Sequence, residues 1–285
     1  MDDTDAFDMH THHKVIIAIQ ARLSSARLPG KILRDFGGQP LLVYQMRRLI
    51  QNTSLPVVAL IPESDAPAIQ ERISTKLYSI YAARCEENDV LGRYAEFARA
   101  MEMDAQDTLV RVTGDCPLLC PSLLRRVIKA YEEHETPLAY YGMGRGWPDG
   151  LGDIDVMRVW ALWDADEHAT DPVDREHVSP WLWKHPGRYP QSTHPFPNRY
   201  IGAPWPKFSV DTEEDFSYVQ RVLDSIGREY GYSSGWSAVY TWETVLQLVE
   251  RHSELRAHTT TINAGYLAQL AVSAASWEEV RYGVR

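Results

Sequence analysis

One carboxylate in this chain stands at the end of an apolar run, the place where parallel α/β proteins bind their ligands. Leu109 to Thr113 has the β-branched, apolar composition of a buried strand, and Gly114 and Asp115 end it. An aspartate beside a glycine that lets other backbone come close is a suitable ligand for a hard cation such as Mg²⁺. The alternative is that Asp115 only caps the turn or helix that follows, and this stretch alone favours neither interpretation.

A basic loop follows the first apolar run of the chain. Val15 to Ala21 (VIIAIQA) is almost entirely apolar, and Arg22 to Lys31 (RLSSARLPGK) comes directly after it. Its arginines, lysine, serines and glycine are the residue types that bind phosphate groups. The loop lacks the GxxxxGK[ST] spacing of a Walker A loop and the GxGxxG of a dinucleotide fingerprint. A surface turn with solvated charges is the alternative, and the position directly after a buried strand makes it the less favoured one.

A second aspartate has a similar sequence context. Lys207 to Asp211 (KFSVD) predicts a short strand followed by an acid, and Thr212 with Asp215 has the spacing of a helix capping box. If both strands end at one edge of the sheet, Asp115 and Asp211 converge opposite the basic loop. Two carboxylates for Mg²⁺ and a basic loop for a triphosphate are what nucleotidyl transfer needs. Such a reaction requires no Ser–His or His–Asp pair, and none stands out in the sequence.

Strands that alternate with helices must position these residues. Apolar runs and amphipathic stretches predict four strands in the first half of the chain, each followed by a helix or loop. The predicted strands are 15–21, 55–61, 78–82 and 109–113, and the predicted helices are 40–50, 65–75, 86–103 and 122–133. This alternation predicts an α/β fold, a three-layer sandwich with a mainly parallel mixed sheet.

The second half of the chain changes character. Short strands are predicted at 138–141 and 153–156, on either side of a glycine-rich loop. This loop, Gly142 to Gly152, has a composition that suits a mobile segment able to fold over a ligand. Further helices are predicted at 159–168, at 174–184 with a bend or interruption at Pro180, at 216–230 and at 242–252, with a last helix after Tyr266. The proline-rich residues 185–206 predict extended structure.

Composition limits the partners and the compartment. The chain has 285 residues, a net charge of −10 and no long basic run, which argues against nucleic acid as a partner. No apolar run reaches membrane-spanning length, and the acidic, His-bearing start does not resemble a signal peptide. Three cysteines without framework spacing indicate a reducing, cytoplasmic setting. We expect residues 1–13 to form a disordered tail and residues 14–285 to form a single nucleotidyltransferase domain.

Several motifs together resemble one enzyme family. The loop ARLSSARLPGK is similar to the R-x-x-S-x-R-x-P-x-K signature of the acylneuraminate and 3-deoxy-manno-octulosonate cytidylyltransferases, which activate acid sugars. Blocks similar to ENDVLGRY, VRVTGDCPL, PDGL, REHVSP and SVDTEEDF occur in the same order in the spore-coat polysaccharide biosynthesis cytidylyltransferase-like branch. The resemblance spans Val15 to Tyr266. It implies a Rossmann-like, nucleotide-diphospho-sugar transferase-like fold, CTP as substrate and Mg²⁺ as cofactor.

The resemblance also implies roles for residues of this sequence. Arg22, Lys31, Asp115 and Asp211 match catalytic positions, and the two aspartates match the metal ligands. The implied nucleotide-binding residues are Ala21, Arg22, Ser24, Ser25, Arg27, Lys31, Arg93, Thr113, Gly114 and Asp115. The implied acceptor-binding residues are Asp149, Asp153, Asp155, Glu176 and His177. Relatives often have PDGLDVEV where this chain has one more residue, so the sequence leaves open which of the three aspartates faces the acceptor.

The sequence therefore predicts a Mg²⁺-dependent cytidylyltransferase of nucleotide-sugar and polysaccharide biosynthesis. It would move CMP from CTP to an acid sugar, sugar phosphate or phosphonate and release pyrophosphate. Two alternatives stay open: a glycosyltransferase of the related fold, using Asp153-Ile-Asp155 as its metal motif, and a nucleotide-binding protein without activity. Arg93 can instead pair with Asp89, and His177 can be an ordinary helix residue. Nine tryptophans suggest a homodimer contact, with core packing as the alternative.

Overall fold

The computed structural model of the chain describes residues 13–144, 146–200, 205–231 and 240–256. The predicted disordered tail, apart from His13, and the predicted helix after Tyr266 lie outside these residues. Within the described ranges, no helix is long and apolar enough to cross a membrane.

Strands and helices alternate along the described chain. The strands are β1 Val15–Gln20, β2 Val57–Pro62, β3 Ser79–Ala83, β4 Thr108–Thr113, β5 Tyr140–Met143, β6 Ile154–Arg158 and β7 Gln191–His194. The α-helices are α1 Leu41–Thr53, α2 Ala66–Arg72, α3 Val90–Ala100, α4 Pro121–Glu132, α5 Val159–His168, α6 Pro172–His177, α7 Pro180–Lys184, α8 Glu213–Tyr230, α9 Trp242–Arg251 and α10 Ser253–Arg256.

The strands form a seven-stranded sheet in the order β3-β2-β1-β4-β6-β5-β7. β1 is parallel to both of its neighbours, β2 and β4, whereas β6 runs antiparallel between β4 and β5. After β1 the chain continues to β2 on one side of the sheet, and after β4 it continues to β5 on the other side. The carboxyl ends of β1 and β4 meet at the edge between these two connections. Because β6 is antiparallel, it begins at that same edge. The sheet confirms the predicted α/β fold with a mainly parallel mixed sheet.

The sheet separates two apolar layers. Ile17 and Ile19 of β1 face the layer that contains α1, α4, α8 and α9, whereas Ala18 faces the layer of α3, α5 and α7. All three side chains are fully buried, as the alternation of side chains along a strand covered on both faces requires. Helices on both faces of the sheet give the predicted three-layer sandwich.

Three segments differ from the predictions. Residues 207–211 form an extended segment outside the sheet and are not a strand. The interruption predicted at Pro180 within 174–184 is present, but the first helix already ends at His177, because Val178 has a left-handed φ of 69°, and Pro180 begins the second helix. The strand β7 lies in a stretch for which the sequence predicts only extended structure.

Candidate active site

The turn after β4 places Asp115 at the edge where β1 also ends. Gln20 of β1 is in register with Thr113 of β4, and the N–H of Gly114 donates to the Gln20 carbonyl at 2.9 Å. A side chain at position 114 would bring its Cβ to 2.8 Å from that carbonyl oxygen, which is closer than such atoms approach. The glycine therefore permits the tight turn that puts Asp115 beyond the strand end.

Lys31 joins the two aspartates that the sequence predicts as partners. Its Nζ donates to Oδ2 of Asp115 at 2.8 Å, to Oδ1 of Asp211 at 3.2 Å and to the carbonyl of Val210 at 2.7 Å. Lys31 is buried in a 3-10 turn at the end of the basic loop. One ammonium group thus brings together the loop after β1, the turn after β4 and the segment before α8.

Asp211 is surrounded by cations. Besides Lys31, Arg27 contacts its Oδ2 at 3.1 Å, and Lys207 donates to the same oxygen. We call this group the Lys31 cluster, and it consists of Arg27, Lys31, Asp115, Lys207 and Asp211.

Backbone contacts hold the Asp211 segment in place although it is not a strand. The N–H of Val210 donates to the carbonyl of Asp115 at 2.8 Å. The predicted capping box is present at the start of α8: Asp215 accepts the N–H of Thr212 at 3.0 Å, and Thr212 accepts the N–H of Asp215 at 3.2 Å. Asp215 also accepts the N–H of Asp211 at 3.1 Å. Helix capping therefore fixes the backbone from which the Asp211 side chain projects.

In the Lys31 cluster, the neighbouring charges shift the pKa values of Lys31, Asp115 and Asp211 more strongly than burial does. Burial lowers the pKa of Lys31, but the carboxylates of Asp115 and Asp211 raise that pKa above its usual value. Burial raises the pKa of Asp115, yet Lys31 holds it below the usual value for a carboxyl group. At Asp211, burial opposes Lys31, Lys207 and Arg27, and these cations bring the pKa down to about 2. Both carboxylates are therefore ionised at neutral pH.

A second polar group lies within the sheet, on the side of α3 and α5. Arg111 donates from Nε to Oε1 of Gln20 at 2.8 Å and from Nη1 to Oδ2 of Asp155 at 2.5 Å. The other oxygen of Asp155 accepts the hydroxyl of Tyr140, and the Ser179 hydroxyl lies 3.4 Å from Oδ2. Arg111 and Asp155 are both buried. We call these five residues the Arg111 cluster.

Arg22 lies against the predicted acceptor-binding residues. Its Nη2 contacts Oε1 of Glu176 at 3.0 Å, and its Nη1 donates to Asn88. Burial and the nearby cations Arg111 and Arg22 lower the pKa of the adjacent His177, so the ring is neutral at neutral pH. The structure thus brings Glu176 and His177 next to an arginine of the basic loop.

Three aspartates near the start of β6 have different surroundings. Asp153 accepts the N–H of Gly150 at 2.6 Å, whereas Asp155 belongs to the Arg111 cluster. Burial and the Asp149 carboxylate raise the pKa of Asp153 to about 7. Burial raises the pKa of Asp149 as well, and the Asp115 carboxylate adds to this rise. Because Asp153 and Asp155 bind different partners, they do not form the paired metal motif of the glycosyltransferase alternative.

Arg93 lies beneath the loop before α3. It is buried, and its Nη2 donates to the carbonyl of Glu87 at 2.7 Å. Asp89, its alternative partner, instead pairs with Arg175 at 2.7 Å. Arg93 therefore supports the loop that carries Asn88, and its direct contact with a nucleotide stays a prediction.

The basic loop is closed by its own backbone. The N–H groups of Gly30 and Ser25 both donate to the carbonyl of Leu23, at 2.8 and 3.0 Å. Ala21 is buried at the end of β1, and Ser24 is exposed on the loop. The loop therefore stays folded at the edge of the sheet, where the sequence predicts contacts with phosphate groups.

Helix α1 holds the backbone of the turn that carries Asp115. Gln45 donates from Nε2 to the carbonyls of Thr113 and Cys116 at 2.8 and 3.2 Å. Arg48 donates to the carbonyl of Pro117 at 2.9 Å. Two buried side chains of one helix thus fix three carbonyl groups of the turn, independently of the Asp115 side chain.

The glycine-rich loop is packed against the protein, which differs from the mobile segment that its composition predicts. The ring of Trp147 lies 4.8 Å from that of Phe196 and 5.0 Å from that of Trp242. Gly150 has a φ of 87°, and a Cβ there would lie 2.2 Å from the carbonyl carbon of Phe208. Large aromatic contacts and one close backbone approach therefore anchor the described residues of the loop.

The two aspartates of the Lys31 cluster fit a magnesium ion that a nucleotide helps to bind. In nucleotide sites Mg²⁺ takes one or two carboxylates from the protein and completes its shell with phosphates and water. Asp115 and Asp211 are ionised and share Lys31 as a partner. Over the described ranges, no group of three or more His, Cys, Asp or Glu side chains is arranged to hold a metal.

Sequence reasoning missed two basic residues. Lys207 stands four residues before Asp211, and Arg111 interrupts the apolar run of β4. Each carries a signal: the spacing of Lys207 predicts proximity to the acid, and a cation inside a core strand needs a partner. Neither signal identifies which residue lies opposite in the fold.

Sequence comparisons place these residues in one family. The profile of the family described as Cytidylyltransferase matches residues 16–229 of the chain. The chain is 27% identical to the spore coat polysaccharide biosynthesis protein SpsF of Bacillus subtilis, over 75% of this chain and 88% of that protein. It is 32% identical to the 3-deoxy-manno-octulosonate cytidylyltransferase of Serratia proteamaculans, over 74% of this chain and 98% of that protein.

Solved structures share the fold. A cytidylyltransferase from Leptospira borgpetersenii superposes with a TM-score of 0.74 at 25% identity, covering 88% of this chain and 100% of that one. A CMP:2-keto-3-deoxy-manno-octonic acid synthetase complexed with CTP superposes with a TM-score of 0.58 at 17% identity, covering 74% of this chain and 98% of that one. The profile match, the related sequences and the shared fold agree with the motif resemblance. The chain therefore belongs to the cytidylyltransferase family and is a nucleotidyltransferase.

Proposed function

We propose that the protein transfers CMP from CTP to a small acid sugar and releases pyrophosphate. The observation that carries this proposal is the contact of Lys31 with both Asp115 and Asp211 at the edge of the sheet. It joins a phosphate-binding loop to two ionised carboxylates, as a nucleoside triphosphate with its magnesium ion requires. Family membership supports CTP as the donor. The related 3-deoxy-manno-octulosonate cytidylyltransferase supports an acid sugar as the acceptor.

The basic loop supplies the charges for the triphosphate in this proposal. Arg22, Arg27 and Lys31 would donate to the β- and γ-phosphate oxygens and neutralise the departing pyrophosphate. Each of them contacts carboxylate oxygens in the protein, and phosphate oxygens accept the same hydrogen bonds. The incoming triphosphate would therefore replace existing partners of these side chains.

Asp115 and Asp211 are the proposed ligands of a magnesium ion. A magnesium ion bound there supplies positive charge that makes the α-phosphorus more electrophilic. The protein's own contribution is to keep both carboxylates ionised, because Lys31 lowers the pKa of each against the effect of burial. The Gln45 contacts with the turn after β4 keep Asp115 in place when Lys31 changes partners.

The acceptor side is built from residues of α6 and of the chain entering β6. Glu176 and His177 lie next to Arg22, and Asp149 and Asp153 lie close enough to Asp115 for its carboxylate to raise the pKa of both. In the proposal these residues orient the acceptor, whose oxygen bonds to the α-phosphorus as the bond to pyrophosphate breaks. The neutral His177 ring suits hydrogen bonding to sugar hydroxyls.

Pyrophosphate release tests the proposal. The protein is assayed with CTP, UTP, GTP and ATP against a panel of acid sugars, sugar phosphates and phosphonates, with magnesium present. We expect release with CTP and an acid sugar, and we expect Asp115→Asn to lower it by at least roughly 100-fold. Asp224→Asn, on the exposed face of α8, is the matched control and should retain activity.

Two results would contradict the proposal. Release of a nucleoside diphosphate from a nucleotide sugar would indicate sugar transfer. A near-normal rate for Asp115→Asn, with the fold confirmed by circular dichroism, would show that the Asp115 carboxylate takes no part in the reaction.

A further inference from the structure

Arg111 is a cation in the middle of a buried sheet. Burying a guanidinium costs its hydration, so a core strand keeps one only where its N–H groups are used. Arg48 is also buried, and its contacts show how a buried arginine serves a structural role. It donates to the Pro117 carbonyl and the Tyr240 hydroxyl, and it lies 3.9 Å over the Tyr240 ring. The contacts of Arg111 are of a different kind.

The partners of Arg111 leave part of its guanidinium uncommitted. Gln20 accepts from Nε and Asp155 accepts from Nη1. Among the described residues, none accepts a hydrogen bond from Nη2. This nitrogen is not among the fully buried atoms that lack a partner, so part of it is exposed. The side chain keeps 11% of its surface exposed. The Nη2 edge of the guanidinium therefore reaches solvent and is available to a ligand.

Arg111 lies close to the acceptor-side residues. Gln20, which holds Arg111, is the last residue of β1 and is in register with Thr113, two residues before Asp115. Arg111 helps to lower the pKa of His177 and partly offsets the rise in the pKa of Asp153, and both effects require that its charge lies nearby. The cation is thus close to the edge of the sheet at which the reaction is proposed to occur.

We propose that Arg111 binds the carboxylate of the acceptor, and that Gln20 and Asp155 are positioning residues that hold its guanidinium. This inference rests on the proposed function and names the group of the acceptor that the protein recognises. The N–H groups of Nη2 donate to carboxylate oxygens as charge-assisted hydrogen bonds, and the contacts of Nε with Gln20 and of Nη1 with Asp155 fix the direction of these donors.

The charges around Arg111 favour a carboxylate over a phosphate. Asp155 already balances the charge of Arg111, so a ligand gains directed hydrogen bonds and little net attraction. Asp153 lies near Arg111 and beside the Asp149 carboxylate, and the negative charge of this pair disfavours a doubly charged group. A singly charged, planar acid is therefore the class of group that this site selects.

The test compares acid acceptors with their neutral counterparts. The full chain, with CTP and magnesium, is offered 3-deoxy-manno-octulosonate and N-acetylneuraminate, each beside its C1 methyl ester, and pyrophosphate release is measured. Wild type should prefer the acid of the pair that it uses. Arg111→Gln should lower kcat/KM for that acid roughly 10- to 100-fold, through the KM for the acceptor. The ratio of kcat/KM between acid and ester should fall toward one, while the KM for CTP stays within about twofold.

Two further variants keep the test decisive. Arg111→Lys retains the charge without the planar fork and should lose part of the preference for the acid. The double variant Arg111→Gln/Asp155→Asn removes both charges of the pair, so it leaves no unbalanced buried carboxylate and should show the same loss of preference if the single variant does not fold.

The outcomes separate the two proposals. Wild type that uses an ester as well as its acid would overturn the assignment of Arg111 and leave the proposed function standing. An equal loss on acid and ester in the variants, or a loss confined to CTP, would do the same. Wild type that releases no pyrophosphate from CTP with any acceptor would overturn both.

Discussion

The Lys31 cluster and the Arg111 cluster both include residues of β4 or its end, but they differ in burial and in charge. The Lys31 cluster joins three cations to two carboxylates beyond the strand ends, and the side chains of Asp115 and Asp211 are 27% and 24% exposed. The Arg111 cluster pairs one cation with one carboxylate inside the sheet, where the two side chains are 11% and 9% exposed.

This difference indicates which cluster changes during the reaction. Carboxylates are the partners of Lys31 and Arg27, and phosphate oxygens of a substrate can replace them with equivalent hydrogen bonds. Gln20 and Asp155 hold Arg111 from within the sheet, and a ligand at the free edge has no need to displace them. We infer that the Lys31 cluster exchanges partners during turnover, whereas the Arg111 cluster is preformed.

The largest effect should come from Lys31→Met. Methionine fills a similar length, but it leaves Asp115 and Asp211 facing each other without the cation between them. We expect pyrophosphate release to fall roughly 10²- to 10³-fold, and stability to fall by about 3–5 kcal/mol in denaturant titrations.

A double variant separates the two consequences of Lys31→Met. Lys31→Met/Asp211→Asn removes the repulsion, so it should recover stability without recovering turnover. If Lys31→Met alone kept a tenth of the wild-type rate, the Lys31 cluster would not be the part that acts on the triphosphate.

Gln45→Leu should give the next largest effect, because it removes support from the Lys31 cluster without touching a charge. Two carbonyls of the Asp115 turn, those of Thr113 and Cys116, would lose their donor at a cost of about 1–3 kcal/mol. We expect kcat to fall about tenfold as Asp115 shifts. Asn52→Ala is the control, because Asn52 lies on the same helix and its side chain donates only to the backbone carbonyl of Arg48 among the contacts described. Equal rates for the two variants would show that the turn keeps its position without Gln45.

Asp153→Asn tests a carboxyl group whose pKa is affected by Asp115 of the Lys31 cluster and by Arg111 of the Arg111 cluster. Burial and Asp149 raise the pKa of Asp153 to about 7 in the folded protein, against about 4 in the unfolded chain. The folded state therefore binds this proton more tightly, and the contribution of Asp153 to wild-type stability falls as the pH rises from about 4 to about 7. Asp153→Asn cannot ionise, so its melting temperature relative to wild type should rise by a few degrees between pH 5 and pH 8, on the order expected for a buried carboxyl group.

Glu135→Gln is the control for that pH dependence. Glu135 is exposed in the loop after α4, and its substitution should leave the melting difference the same at both pH values. A melting difference for Asp153→Asn that does not change with pH would mean that Asp153 is ionised throughout the range.

Glu213→Gln should give the smallest effect, although Glu213 is only two residues from Asp211. Its carboxylate pairs with Arg34 at 2.8 Å on the surface, outside the Lys31 cluster. Exposed pairs of this kind contribute little, so we expect turnover within about twofold and a melting temperature within about 1 °C of wild type. A large loss of turnover would show that Glu213, in the first turn of α8, also contributes to the reaction.

The parts of the site that follow a strand end could be predicted from the sequence. The run Leu109 to Thr113 identifies β4, and the rule that ligands bind beyond parallel strand ends then places Asp115 and the basic loop together. The sheet with helices on both faces followed from the alternation of elements. Local patterns are sufficient here because neighbouring strands bring their ends to the same edge.

The rest depends on contacts between distant segments. Asp211 reaches the site from a segment that is not a strand, held by Asp115 and Lys31. Arg111 meets Asp155 because β6 pairs antiparallel with β4, and no local pattern determines that pairing. Likewise Pro180 predicts a break between α6 and α7, but the end of α6 at His177 depends on the left-handed φ of Val178, a β-branched residue that rarely adopts it.

The antiparallel direction of β6 has a consequence for how such an enzyme diversifies. The chain enters the sheet through β6 at the edge where it leaves through β1 and β4. Asp149 and Asp153 of the proposed acceptor side therefore precede a strand, whereas the basic loop and Asp115 of the proposed nucleotide side follow strands. The pairing of Asp155 with Arg111 fixes the register of that entry. Under the proposed assignments, insertions ahead of Asp153 would alter the acceptor side without altering the nucleotide side, and exchanging this connection between relatives would change the acceptor that receives the same nucleotide.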